Sequence, residues 1–240
     1  MGIVVEMDVR RADTVGVDAA LDEAFAVLRA ADERFSPFRD ESELRRYERG
    51  EVGPDEVSLD MLEVLAIGER ARADSGGVFD VHTPDGRLDT NGVVKGWAAQ
   101  RAADVLAAAG FTDFCVNAGG DVVVRGEPEP GRPWQVAVRD PADRSAVLAQ
   151  IALRDGAVAT SGTYEQGAHV WDGRTGSRDL SLVAATVVAA DLTTADVLAT
   201  TLLAMGAEEG LPWVLRHGAA TAFVVRQDGS VLTVTAEGGA

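Results

Sequence analysis

The chain has 240 residues, of which 46% are hydrophobic and 25% charged, proportions typical of a folded protein with a packed core. Its formal net charge is -17, and no cluster of Lys or Arg interrupts this acidity. Such a charge repels a phosphate backbone and argues against nucleic-acid binding. The single cysteine, Cys115, excludes an intramolecular disulfide and any metal site built from several cysteines.

The chain enters a strand-like segment at once, without a basic region followed by an apolar signal core. No later apolar run reaches the length needed to span a membrane. We therefore expect no transmembrane segment, and either a cytoplasmic protein or the trimmed mature form of an exported one.

The first half of the chain is predicted to be mainly helical. Apolar and polar residues alternate from Ile3 to Val9, which predicts a half-buried strand. Helical spacing of apolar residues follows from Val17 to Ala31. A short second helix is predicted from Ser42 to near Gly50.

A third helix is predicted to begin after a cap at Ser58 and to end at the glycines that follow Ser75. Its apolar face is predicted to comprise Leu62, Leu65 and Ala66.

A fourth helix is predicted to begin near Asn91. Asn91 or one of its neighbours would cap this helix. The free N–H groups of its first turn would suit an anion. The residues predicted to face inward are Trp97, Ala102, Val105 and Leu106.

The second half is predicted to consist mostly of strands, separated by glycine and proline turns and followed by two helices and a closing hairpin. The predicted strands cover 114–117, 122–125, 134–139, 147–153, 157–160 and 182–189; the helices begin at Leu192 and at Glu208; the hairpin pairs 222–225 with 231–234.

Helices and strands are mixed without regular strand–helix–strand alternation, so the predicted fold class is α+β. The best candidate for a linker, Gly126 to Pro133, is short and is more simply a turn between two strands. We therefore predict one domain spanning residues 1–240.

Few residues indicate chemistry when taken alone. Asp196 and Thr200 stand four residues apart on a predicted helix, so their oxygens share one face and suit Mg²⁺. From the spacing alone, a solvated face or a bond from Thr200 to the backbone is the better explanation. His169 lies in a segment rich in hydroxyl groups, where its imidazole could accept a proton. His82 and His217 have no evident partner and are interpreted as surface residues.

Glycine-containing motifs are more informative in their order along the chain than singly. Together with Met1-Gly2, they make the chain resemble the ApbE family of FAD:protein FMN transferases over nearly its whole length. The ordered motifs are Glu33 to Arg39 with Ser42 to Leu44, Gly76 to Asp80, Asn91 to Gly96, Val116 to Asp121, Ala159 to Tyr164, His169 to Gly176, and Ala195-Asp196 with Thr200.

The resemblance implies a T-fold-like α+β architecture with mixed, largely antiparallel sheets, FAD held as substrate in a cleft, Mg²⁺ on its pyrophosphate, and a Ser or Thr of a target flavoprotein as acceptor. It implies His169 as base on the acceptor hydroxyl, with Asp172 able to share that role. The implied metal ligands are the Val94 carbonyl, Asp196 and Thr200. The implied flavin-binding residues are Met1, Ser36, Pro37, Val78, Phe79, Asp80, Asn91, Lys95 and Val170.

The chain departs from the family pattern at three places that bear on the flavin, one of which is Thr90-Asn91-Gly92 in place of a common Leu-Gly-Gly. Gly173 stands where the family usually has proline, which predicts a less rigid loop. The segment after Asp80 is also shorter than in many members.

Three functions are compatible with these residues. The first is transfer of FMN to a protein hydroxyl, with release of AMP. The second is FAD pyrophosphatase activity, in which water replaces the acceptor, and the third is a flavin-binding module without catalysis. The chain lacks a Ser/Thr-Gly-Ala-Thr acceptor motif of its own, so transfer would modify a partner protein.

Overall fold

The computed structural model describes residues 2–10, 16–143, 145–163, 170–178 and 180–237. Within these ranges the chain forms six helices and nine strands, which confirms the predicted α+β class. The helices are α1 (Val17–Phe35), α2 (Glu43–Glu48), α3 (Leu59–Asp74), α4 (Asn91–Ala108), α5 (Leu192–Met205) and α6 (Ala207–Arg216). The strands are β1 (Val5–Val9), β2 (Phe114–Ala118), β3 (Asp121–Arg125), β4 (Trp134–Arg139), β5 (Val147–Leu153), β6 (Gly156–Gly162), β7 (Leu182–Ala189), β8 (Ala219–Arg226) and β9 (Val231–Thr235).

Seven strands form one antiparallel sheet in the order β1-β2-β3-β6-β7-β8-β9. Alternate residues of its strands face opposite sides, because side chains in a strand alternate across the sheet. Val123 and Ala157 lie in the core beneath the helices, whereas Val122 and Val158 belong to a second cluster with Trp134. The sheet is therefore covered by α4 and α5 on one face and by the hairpin β4-β5 on the other.

Several predicted strands agree closely with the structure. The bounds 134–139, 147–153 and 182–189 match β4, β5 and β7, and the predicted closing hairpin corresponds to β8 and β9. The first strand is shorter than predicted, since regular pairing with β2 begins only at Val5.

The predicted apolar face of α3 is wrong. Leu62 is 44% exposed, and the residues that α3 buries are Met61, Val64, Gly68 and Ala71. Gly68 explains the rotation, because a Cβ at this position would lie 2.7 Å from Val81 Cγ1. The helix therefore packs through its smallest residue, which hydrophobicity alone does not reveal.

The cap of α4 lies on neighbours of Asn91, which the prediction allowed. Thr90 occupies the cap position without a side-chain hydrogen bond, and the Asn91 N–H donates to Asp89 Oδ1 at 3.0 Å. Asp89 thus satisfies one of the free N–H groups at the start of α4. Among the described residues, no helix combines the length and the apolar character needed to cross a membrane.

Candidate active site

A cleft with a cavity volume of about 280 Å³ opens beside the start of α4 and the middle of α5. Two chain segments distant in sequence, Gly2-Ile3 and the end of β6, complete its wall. The cleft is lined by all but one of the predicted site residues that the structure describes: Ser36, Pro37, Val78, Phe79, Asp80, Asn91, Val94, Lys95, Val170, Asp196 and Thr200. Met1 and His169 lie outside the described residues.

Asp196 is held rigidly at the bottom of this cleft. Its side chain is buried, and its Oδ2 accepts a hydrogen bond of 2.8 Å from the Gly96 N–H of α4. This contact depends on glycine, because a Cβ at position 96 would lie 2.6 Å from both Asp196 Cβ and the Leu192 carbonyl oxygen. Gly96 therefore allows α4 and α5 to approach closely enough to share the bond.

Thr200 lies one helical turn after Asp196, as the spacing predicts. Its Oγ1 is 3.0 Å from Ser161 Oγ, which lines the same cleft from the end of β6. Together with the Val94 carbonyl, Asp196 and Thr200 would offer the hard oxygen donors that Mg²⁺ prefers.

Lys95 lies between two carboxylates. Its Nζ is 2.7 Å from Asp121 Oδ2 and 3.4 Å from Asp196 Oδ1, while 30% of its side chain remains exposed. Burial alone would lower the pKa of Lys95, but the charges of Asp121 and Asp196 outweigh it and raise the pKa. Lys95 is therefore a permanent cation, which suits a site for an anionic ligand.

With both carboxylates ionised, the two carboxylates and one ammonium carry one net negative charge in the buried part of the site. Burial raises the pKa of Asp196, Lys95 lowers it, and Asp121 raises it further. A bound cation would relieve this excess negative charge. Among the described residues there is no group of three or more His, Cys, Asp or Glu side chains that could hold a metal, so a cation here would need backbone, hydroxyl, water or substrate oxygens as well.

Asp121 is the residue of this network that sequence reasoning did not select. It closes the motif Asn117 to Asp121, whose order supported the family resemblance but whose last residue carried no assigned role. The signal that could have identified it is a carboxylate directly after two glycines at a strand junction. Its partner Lys95 is distant in sequence, so the pairing itself is visible only in the fold.

Two of the segments that carry predicted flavin-binding residues beside the cleft are 36–37 and 78–80. Ser36 Oγ accepts from the Phe38 N–H at 3.3 Å, and the Phe79 N–H donates to Ser75 Oγ at 3.0 Å. Asp80 accepts from Arg72 Nε at 3.0 Å and from the N–H of His82 at 2.8 Å. Each segment is thus held by a local side-chain contact.

Two histidines have partners that the sequence did not indicate. His82 Nδ1 lies 3.1 Å from Asp80 Oδ1, although its side chain is largely exposed. His217 stacks on Trp213 with ring centroids 4.1 Å apart, and its Nδ1 lies 2.8 Å from the Trp213 carbonyl oxygen. His82 is thus a surface residue, as predicted, and His217 is only partly buried, but each has a partner that the sequence did not indicate.

Asp172 is the described candidate that does not line the cleft. Its carboxylate binds Arg174 through the Arg174 N–H at 2.9 Å and through Nη2 at 2.9 Å. The hydrogen bond from Arg174 lowers the pKa of Asp172. A carboxylate in this state is a weak proton acceptor, so the structure gives its predicted role as a base no support.

Gly173 has a role of its own in this loop. Its N–H donates to the Val78 carbonyl oxygen at 2.9 Å, and a Cβ there would lie 2.3 Å from the Gly77 carbonyl oxygen. A proline would lack this N–H. The expected loss of rigidity is thus offset by a main-chain bond that ties the loop to the flavin-side segment.

The fold and the cleft together define an α+β protein whose site suits a hard cation beside an anionic ligand. The model of the ApbE family matches the chain over residues 1–85 and 81–224. The chain therefore belongs to the ApbE family.

Relatives and solved structures agree with this assignment. The chain is 32% identical to the FAD:protein FMN transferase of Vibrio cholerae over 191 residues, which cover 75% of this chain and 57% of that protein. It is 26% identical to the FAD:protein FMN transferase of Klebsiella pneumoniae, covering 90% of this chain and 81% of that one. The match to the Escherichia coli FAD:protein FMN transferase is 31% identical and covers 62% of this chain and 46% of that protein.

The fold is shared with crystallised members of the family. The structure is similar to the flavin transferase ApbE of Vibrio cholerae, with a TM-score of 0.84, 22% identity, and coverage of 100% of this chain and 95% of that one. The apo flavinyl transferase ApbE of Pseudomonas stutzeri gives a TM-score of 0.80 at 24% identity, with coverage of 98% and 94%. The predicted ApbE architecture is thereby confirmed.

Proposed function

We propose that this chain is an FAD:protein FMN transferase. It splits the pyrophosphate of FAD and joins the FMN half to a Ser or Thr hydroxyl of a target flavoprotein with a Ser/Thr-Gly-Ala-Thr type motif. The observation that carries the proposal is the meeting of Asp196, Thr200, Val94 and Lys95 with the flavin-side residues in one cleft. We also propose that residues 1–240 act as a single domain in this reaction, and a cytoplasmic location stays a prediction.

The donor set in the cleft fits Mg²⁺. Asp196, Thr200 and the Val94 carbonyl would hold the ion, and Ser161 would orient the Thr200 hydroxyl through their 3.0 Å contact. When bound, Mg²⁺ would neutralise charge on the pyrophosphate and on the departing AMP.

The chain's own residues account for the remaining needs of the reaction. Lys95 adds a permanent positive charge beside the pyrophosphate. The acceptor oxygen forms a bond to the phosphorus of the FMN half. The bond from this phosphorus to the bridging oxygen breaks, and AMP leaves with that oxygen.

A base must take the proton of the acceptor hydroxyl. We propose His169 for this role, from the family resemblance and its position in the chain before Val170, which lines the cleft. Asp172 acts instead as a loop-ordering residue through Arg174. In this proposal His169 accepts the proton, and Asp172 has a structural role only.

The decisive assay uses the chain with FAD, Mg²⁺ and an acceptor fragment that carries a Ser/Thr-Gly-Ala-Thr motif. Covalent flavin fluorescence on a denaturing gel, together with AMP release, is the expected result. AMP release without labelling would favour FAD pyrophosphatase activity, and FAD binding without either product would favour a non-catalytic module.

Asp196→Ala is expected to abolish labelling and Mg²⁺ binding together, because it removes the single carboxylate ligand. Asp104→Ala, which removes an exposed carboxylate on α4 that accepts from Gln100, is the matched control and should label like the wild type. Full Mg²⁺-dependent labelling by Asp196→Ala would contradict the assignment of the metal site.

A further inference from the structure

Asp121 is a buried carboxylate whose two oxygens point to different partners. The side chain belongs to a residue that is 2% exposed at the start of β3. Its Oδ1 accepts from the Thr160 N–H at 3.0 Å, which fixes the carboxylate to the neighbouring strand β6. Its Oδ2 lies 2.7 Å from Lys95 Nζ.

The second oxygen depends on Lys95. Within the described part of the chain, no donor is aligned to make a hydrogen bond with this buried Oδ2, so the ion pair offsets its burial. Burying a carboxylate oxygen without such compensation is costly. Asp121 is therefore placed to hold the ammonium of Lys95.

Lys95 is shared unequally between two carboxylates. Its Nζ lies 2.7 Å from Asp121 but 3.4 Å from Asp196, and Asp196 already accepts from Gly96 through its other oxygen. An ammonium that moved fully onto Asp196 would occupy the oxygen that a divalent cation needs. Like charges at such a distance repel, so a bound cation and Lys95 compete for Asp196.

We propose that Asp121 is a positioning residue that draws Lys95 away from Asp196 and so keeps Asp196 open to the divalent cation. The proposal rests on the proposed metal site of the transferase. In this arrangement Lys95 already contacts Asp121 at 2.7 Å, so its charge stays beside the pyrophosphate when the cation binds. Without the Asp121 charge, Asp196 is the remaining carboxylate for Lys95 within this group of three.

The test is a double-mutant cycle on Mg²⁺ affinity, measured by titration calorimetry on the full chain without FAD or acceptor. Asp121→Asn keeps the shape and the oxygen that accepts from Thr160 but removes the charge. We expect it to weaken Mg²⁺ binding by about tenfold, the lower end of the effects seen for residues behind metal ligands. Lys95→Met removes the competing ammonium and is expected to tighten Mg²⁺ binding.

The double variant decides between positioning and a general loss of negative charge. If Asp121 acts through Lys95, then Asp121→Asn added to Lys95→Met changes the Mg²⁺ affinity by less than about twofold, because no ammonium remains to be held. A tenfold loss in both backgrounds would overturn the proposal. Unchanged affinity in Asp121→Asn, or absence of Mg²⁺ binding by the wild type, would also overturn it.

Two further readouts keep the result interpretable. Thermal unfolding of each variant without metal separates a folding defect from a change in Mg²⁺ affinity. If Asp121→Asn does not fold, weaker Mg²⁺ binding by Lys95→Met would still refute competition between Lys95 and the cation for Asp196. The gel assay for flavin transfer is independent of the cycle. If the gel assay shows no flavin transfer but the Mg²⁺ affinities follow the expected cycle, the transferase function alone is refuted. If flavin transfer occurs but the Mg²⁺ affinities do not follow the cycle, the role of Asp121 alone is refuted.

Discussion

Gly96→Ala tests whether the close approach of α4 and α5 holds Asp196 in place. The added Cβ would lie 2.6 Å from Asp196 Cβ and 2.6 Å from the Leu192 carbonyl oxygen. Carbon atoms pack best at about 3.5 to 4.0 Å, so α5 must move by roughly 1 Å. Both clashing groups belong to α5 at successive turns, and rotation of one side chain cannot relieve them.

The same movement breaks the hydrogen bond from the Gly96 N–H to Asp196 Oδ2, which measures 2.8 Å in the structure. Overpacking costs about 1 to 3 kcal/mol and a lost hydrogen bond to a charged group about 1.5 to 3 kcal/mol. The greater helix propensity of alanine offsets about 1 kcal/mol of this loss in stability. We expect a net loss of about 2 to 4 kcal/mol in the free energy of unfolding.

The assay is thermal unfolding followed by Mg²⁺ calorimetry. For a chain of this size the expected loss corresponds to a fall in Tm of roughly 5 to 15 °C. Mg²⁺ affinity should fall by at least about tenfold, because the ligand Asp196 is displaced.

Gly53→Ala is the matched control. A Cβ there would meet only Glu56 Oε2 at an ordinary 3.4 Å, so the Tm should stay the same or rise slightly. A Gly96→Ala variant with the Tm and Mg²⁺ affinity of the wild type would refute this reasoning.

Three other residues give independent tests. Ser161→Ala should weaken Mg²⁺ binding by about fivefold, the equivalent of one hydrogen bond, with little change in Tm, because it frees the Thr200 hydroxyl; unchanged affinity would contradict this. Asp172→Asn should lower the Tm yet retain flavin transfer, since its carboxylate is engaged by Arg174; complete loss of transfer in a folded variant would identify it as the base. Burial, followed by the charges of Asp8 and Glu6, raises the pKa of Cys115 to about 12. The thiol is therefore neutral at pH 8, and iodoacetamide should label it far more slowly in the native than in the unfolded chain; equal rates would contradict the burial.

Strand positions were predictable because alternation, as in β4, or a short apolar run, as in β7, is typical of a strand. β4, β5 and β7 have the predicted bounds, and each is packed on at least one face. The buried face of α3 was not predictable from hydrophobicity. Gly68 lies on that face because only a residue without a side chain fits against Val81, and hydrophobicity scales do not record this.

Most residues that line the cleft could be predicted from the sequence, but the contacts between their side chains could not. Asp196 and Thr200 are near neighbours on one helix, so their spacing carries information. The pairs Lys95 with Asp121 and Ser161 with Thr200 join distant segments, and only the sheet order places them together. The role of Gly173 likewise depends on the Val78 carbonyl, which lies far away in sequence.

The order of strands in the sheet has a practical consequence for handling the protein. Gly2 and Ile3 line the cleft and lead into β1 at one edge, whereas β9 forms the opposite edge of the seven-stranded sheet. With strands spaced about 4.8 Å apart, these edges are separated by roughly 29 Å. A purification tag joined ahead of residue 2 would therefore begin beside residues that line the cleft, whereas a tag joined after β9 would begin at the opposite edge of the sheet.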